Sequence, residues 1–131
     1  MKRFILILLA ILVMSGCSAK SAQQHGHGIS VEMADSLHIN HMTLNMFVNG
    51  NEVFSENVIN ADNSSFKKGE IIWFDVSPRA TNSTVELTLS YSRNLNGTNA
   101  KTTEKIDISN ANDWVTIKFT KNYDLHLIKM Q

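Results

Sequence analysis

In the run Val85-Glu86-Leu87-Thr88-Leu89-Ser90-Tyr91-Ser92 every apolar residue is followed by a polar one. Successive side chains of an extended chain point to opposite faces. A period of two therefore builds a strand with one buried face and excludes an amphipathic helix, whose period is 3.6. The same period begins at Ile29, where Ile29, Val31 and Met33 alternate with Ser30 and Glu32. It returns in Met42, Leu44, Met46 and Val48, with Phe47 as the exception, and in Val115, Ile117 and Phe119. Asn49-Gly50 follows the second run, and both residues tolerate the positive φ of a two-residue hairpin turn. Val53 to Ile59 is then the return strand.

Asp62 to Gly69 is polar and reads as a loop. Ile71 to Val76 is the most apolar run, predicting a central strand covered on both faces until Pro78 ends it. Asn94 to Ala100 holds Asn96-Gly97 and predicts a turn, and Thr102 to Ile108, Trp114 to Thr120 and Tyr123 to Met130 supply three more strands. Seven or eight short strands with no internal repeat predict an all-β fold, an antiparallel β-sandwich of immunoglobulin-like or transthyretin-like kind. A small barrel is the alternative. The Cys…Trp…Cys spacing of antibody domains is absent, because the chain has one cysteine. That single cysteine also excludes a disulfide-stapled scaffold. A formal net charge of zero over 131 residues argues against a nucleic-acid partner.

The N-terminal residues follow different rules. Met1-Lys2-Arg3 is basic, and Phe4 to Met14 is eleven apolar residues, against the roughly 20 that a membrane-spanning helix needs. A basic start, a short apolar core and small residues after it describe an export signal. Val13-Met14-Ser15-Gly16-Cys17 resembles the lipobox of bacterial lipoprotein precursors, with Met14 where that family prefers Leu. The resemblance implies that residues 1–16 are a cleaved signal helix. It also implies that the Cys17 thiol carries a diacylglyceryl group and that its new amine is acylated, so the lipid bilayer is a partner through Cys17. Ser18 rather than Asp after the cysteine implies sorting to the outer membrane, with the domain facing the periplasm or the surface.

Cleavage removes Lys2 and Arg3, leaving ten basic and twelve acidic residues and a net charge of −2. Ser18 to Gly28 is small and polar, so residues 17–28 form a lipidated cysteine and flexible tether, with a reach of about 20 Å for eleven such residues. Residues 29–131 are the sandwich domain.

One cluster suggests metal chemistry. His25, His27, His38 and His41 fall close together, with Met33, Met42 and Met46 nearby. Imidazole suits Cu and Zn, and thioethers favour Cu(I). On a regular strand, however, His38 and His41 project from opposite faces. The competing reading makes His25 and His27 tether residues, His38 and His41 strand residues, and the methionines core.

No Gly-x-Ser-x-Gly elbow, phosphate loop or His-Glu-x-x-His occurs, and a lipidated Cys17 is no nucleophile, so the chain reads as non-enzymatic. Asp62-Asn63-Ser64-Ser65 carries oxygen ligands but lacks the spacing of a calcium loop. Trp73 and Trp114 read as core packing. Asn94, Asn96, Asn99, Asn110 and Asn112 read as turn formers. Lys118, Lys121 and Lys129 read as edge-protecting charges. Two functions follow as expectations. One is a lipid-anchored binding or assembly module with an envelope protein partner and no cofactor. The alternative is a periplasmic copper or zinc binder using His25, His27, His38, His41, Met42 and Met46.

Overall fold

Nine strands build the described part of the chain. They are β1 (Gly28–Met33), β2 (His41–Val48), β3 (Asn51–Val58), β4 (Ile71–Phe74), β5 (Val85–Ser92), β6 (Lys101–Thr102), β7 (Ile106–Asp107), β8 (Trp114–Phe119) and β9 (Leu125–Met130). The structure is a computed structural model and describes residues 26–131. The signal segment, Cys17, nearly all of the tether and His25 lie outside the described residues. Among those residues there is no helix, and two sheets are present, as the period of two predicts. One sheet has the order β4-β1-β8-β9, and the other runs β3-β2-β5 with β6 and β7 both on the far side of β5.

The inner faces close on a shared core. Ile29, Val31 and Met33 of β1 and Val115, Ile117 and Phe119 of β8 are fully buried, as are Met42 and Leu44 of β2 and Val85, Leu87 and Leu89 of β5. Asn49 and Gly50 take φ of 51° and 81°, turning β2 into β3 with the two-residue geometry that the dipeptide favours. On the outer face of the second sheet, buried Asn45 donates to Thr88 Oγ1 (3.2 Å) and Ser90 Oγ (3.3 Å) and accepts from Ser55. That satisfies polar groups which would otherwise cost stability.

Three expectations are corrected. First, β1 and β8 run parallel, Ile29 opposite Val115 and Val31 opposite Ile117, while every other pair is antiparallel. Second, the Thr102 to Ile108 segment forms two two-residue strands rather than one. Between them Thr103 turns its hydroxyl inward to accept from Leu89 N–H at 3.0 Å, replacing a ladder partner with a side chain.

Third, Ile71 to Val76 contains an edge strand, not a central one. Ile72 and Phe74 are buried while Ile71 is 49% exposed. Trp73 and Trp114, expected in the core, are half-buried on the outer face of the first sheet. Gly28 explains the first of these. A Cβ built there would lie 2.0 Å from the Trp73 ring, so the missing side chain is the slot that the indole fills. Lys129 Nζ sits 5.0 Å over the Trp114 ring, a cation–π contact. Lys118 lies on the inner strand β8 and faces Glu32 at 3.9 Å, so it guards no edge.

Candidate functional site

The inner face of β5 is dry from Val85 to Leu89, and then the sandwich opens. Tyr91, the next inward position, is half-buried, with Met42 on one side of it and Lys101 on the other. Across from it the β8–β9 hairpin turns through residues 120–124. There Tyr123 N–H donates to the Thr120 carbonyl (2.9 Å) and Thr120 N–H to the Asp124 carbonyl (3.0 Å). Tyr123 adopts φ 60°, a left-handed conformation that glycine or asparagine takes at little cost and a bulky residue does not. Its ring stacks on Tyr91 at 5.3 Å and 18° and meets Phe119 edge-on at 6.1 Å. Burial, and then the neighbouring Tyr123, push the Tyr91 phenol above its ordinary pKa, so it stays a neutral hydroxyl.

These rings stand in a cleft of about 460 Å³ whose walls also include Ile39, Arg93, Asn94, Asn99 and Lys101. Its charge is one-sided. Arg93 and Lys101 belong to none of the four ion pairs among the described residues, and no carboxylate lines the cleft. The loop after β5 is tied to itself. Ser92 Oγ donates to the Thr98 carbonyl (2.6 Å), and Asn94 Nδ2 donates to the same carbonyl (3.0 Å) and to Thr98 Oγ1 (3.1 Å). Asn99 sits at φ 55°.

The described members of the histidine and methionine cluster lie apart. His27 is exposed and 3.6 Å from Asp113. His38 is an exposed loop residue at φ 58°. His41 starts β2, and its ring fits against Gly97, where a Cβ would come within 2.9 Å. Met42 and Met46 are core side chains, 0% and 7% exposed, and Met33 is fully buried. The period of two that makes β2 a strand sends these thioethers inward, away from the imidazoles. Among the described residues no three His, Cys, Asp or Glu side chains converge on a point that a metal ion could occupy.

Sequence reasoning placed Tyr91 as an inward residue and Asn94 and Asn99 as turn residues. It missed Arg93, Lys101 and Tyr123 as members of one cleft. Inward Tyr91, two residues before Arg93, was the one local signal. The approach of Tyr123 belongs to tertiary structure.

Three exposed carboxylates are tuned locally. Hydrogen bonding holds each below the ordinary value of 3.8: the Ser64 hydroxyl to Asp62, the Ser109 hydroxyl to Asp107, and the Thr120 hydroxyl, then the His126 ring, to Asp124. The Asp62 contacts, 2.6 Å from the Ser64 hydroxyl and 3.0 Å from its N–H, close a turn rather than a calcium loop. A depressed carboxylate pKa favours the fold when ionised. Its contribution is complete above the unfolded value and is lost as pH falls through the lower folded values. Melting temperature is therefore expected to drop below about pH 4. The triple change Ser64→Ala, Ser109→Ala and Thr120→Ala should flatten that acid limb, and an unchanged limb would refute the assignment.

No known family, curated protein or solved structure matches this chain.

Proposed function

We propose that the chain is a lipid-anchored protein of the bacterial outer membrane whose sandwich is a non-enzymatic binding and assembly module. Its partner would be an envelope protein that adds a segment along β9. The observation that supports this is the state of that edge. Among the described residues β9 pairs on one side only, and Leu127 and Ile128 are 42% and 51% exposed. An unpaired edge offers backbone donors and acceptors to an added strand, and flanking apolar side chains give that strand something to bury.

The other edges are better defended. In β3, Glu56 lies opposite core residue Leu44, an inward-facing charge that opposes strand addition. β4 has four residues, and β6 and β7 have two each. In β9, Ile128 is an extra residue between the pairs Thr116–Lys129 and Ile117–Leu127. Such a bulge twists an edge and discourages flat self-pairing, while leaving Ile128 presented outward.

A photo-crosslinking residue at position 128 of the full chain, in its own membranes, is expected to give one discrete adduct. The same residue at position 53 of β3 should give none, and Leu127→Lys should abolish the adduct from 128. Equal adducts from both positions, or none from 128, would remove the assembly reading.

A further inference from the structure

The cleft at the open end of the sandwich is separate from the β9 edge, and its chemistry points to a different occupant. We infer that it is a binding site for an anionic sugar, a pyranose carrying one carboxylate or phosphate. Four features converge on that class. A cavity of about 460 Å³ lies within the range of small-molecule sites and suits one or two rings.

Charge comes next. Arg93 and Lys101 enter the cleft without ion-pair partners among the described residues and without a carboxylate beside them. Two cations lining one cleft offer an anion charge-assisted hydrogen bonds. The third feature is the stacked pair Tyr91 and Tyr123, which with Ile39 gives an apolar wall for the C–H face of a sugar. The phenol hydroxyls also add donors, Asn94 has its side-chain carbonyl oxygen left as an acceptor, and Asn99 adds an amide for ring hydroxyls. An inorganic anion would use the cations and leave these amides and rings idle.

The fourth feature is strain. Of the six non-glycine residues with positive φ among the described residues, Asn99 and Tyr123 line the cleft, and the rest are three asparagines and His38. Holding a bulky residue there strains the backbone, and asparagine at the same turn would largely avoid that strain. The structure keeps the tyrosine and with it the ring over Tyr91.

The test is titration calorimetry on the full chain in detergent micelles, with glucuronate, glucose 6-phosphate, glucose and inorganic phosphate as probes. At least one charged sugar is expected to bind in the low-millimolar range or tighter. Glucose and inorganic phosphate should each bind at least about tenfold more weakly, and Arg93→Ala and Lys101→Ala should each weaken the charged sugar by about tenfold. Tyr123→Asn should also lose binding while the chain melts cooperatively, which separates loss of the wall from loss of the fold. A charged sugar binding no better than glucose or inorganic phosphate would overturn the inference. So would indifference to Arg93→Ala and Lys101→Ala, or tighter binding of an acidic tetrapeptide. The crosslinking outcome at position 128 has no bearing on any of these readouts.

Discussion

Phe119→Ala is expected to cost the domain about 3–5 kcal/mol, the usual range for emptying a buried phenylalanine site. Phe119 is fully buried at the end of β8 and touches both tyrosine rings, tilted against Tyr91 at 5.2 Å and edge-on to Tyr123 at 6.1 Å. Truncation removes transferred apolar area and leaves a cavity. It also breaks two aromatic contacts, each of which adds roughly 0.5–1.5 kcal/mol beyond burial. Domains of this size have a total stability of about 5–15 kcal/mol, so the loss is a large share. At roughly 4–8 °C per kcal/mol, melting should fall by at least about 12 °C.

Ile128→Ala is the control. Ile128 is 51% exposed, and its removal should change stability by no more than about 0.5 kcal/mol. Equal losses in the two variants, by thermal or denaturant unfolding, would mean that the sheets do not pack on Phe119. Phe119→Leu should recover most of the loss, because it refills most of the volume.

Where a strand reports its own environment, the sequence was legible. Val115, Ile117 and Phe119 alternate with Thr116 and Lys118, and the structure buries the first set completely. Asn49-Gly50 announces its turn because Asn and Gly tolerate positive φ at less cost than other residues. Relations between distant segments were not legible. The parallel pairing of β1 with β8 joins residues 86 positions apart, as in the contact between the Ser30 and Thr116 hydroxyls, and no local pattern records it.

Ile71 to Phe74 was misread for a related reason. An apolar run looks the same whether its second face is covered by another layer or by one indole lying over Gly28. The cleft is the extreme case, because Tyr91 and Tyr123 come from different sheets and meet only once the sandwich has closed. The histidine and methionine residues show the converse: they are neighbours in sequence, yet the alternation of β2 turns Met42 and Met46 into the core and away from His41.

Cys17→Ala is expected to move the protein from the membrane pellet to the soluble periplasmic fraction, because nothing else in the sequence offers a comparable hold. Two or more acyl chains, each contributing about 0.8 kcal/mol per buried CH₂, anchor a protein stably, whereas one chain does so only marginally. The eleven-residue run Phe4 to Met14 spans about 16 Å as a helix, roughly half of the 30 Å hydrocarbon core. Among the described residues no helix is long and apolar enough to cross a membrane. Electrostatic attachment is disfavoured as well. Without residues 1–16 the chain would carry a net charge of −2, so an anionic leaflet would repel it on average.

The wild-type chain should therefore resist extraction by high salt and yield to detergent, and its N-terminal peptide should begin at Cys17 with added acyl mass. Cys17→Ala should need neither treatment. Retention of that variant in the pellet after a salt wash would show that the lipid is not the anchor and would withdraw the lipoprotein reading. The fold and the cleft would be untouched by that result, since the strands begin at Gly28 and the cleft residues lie between Ile39 and Tyr123.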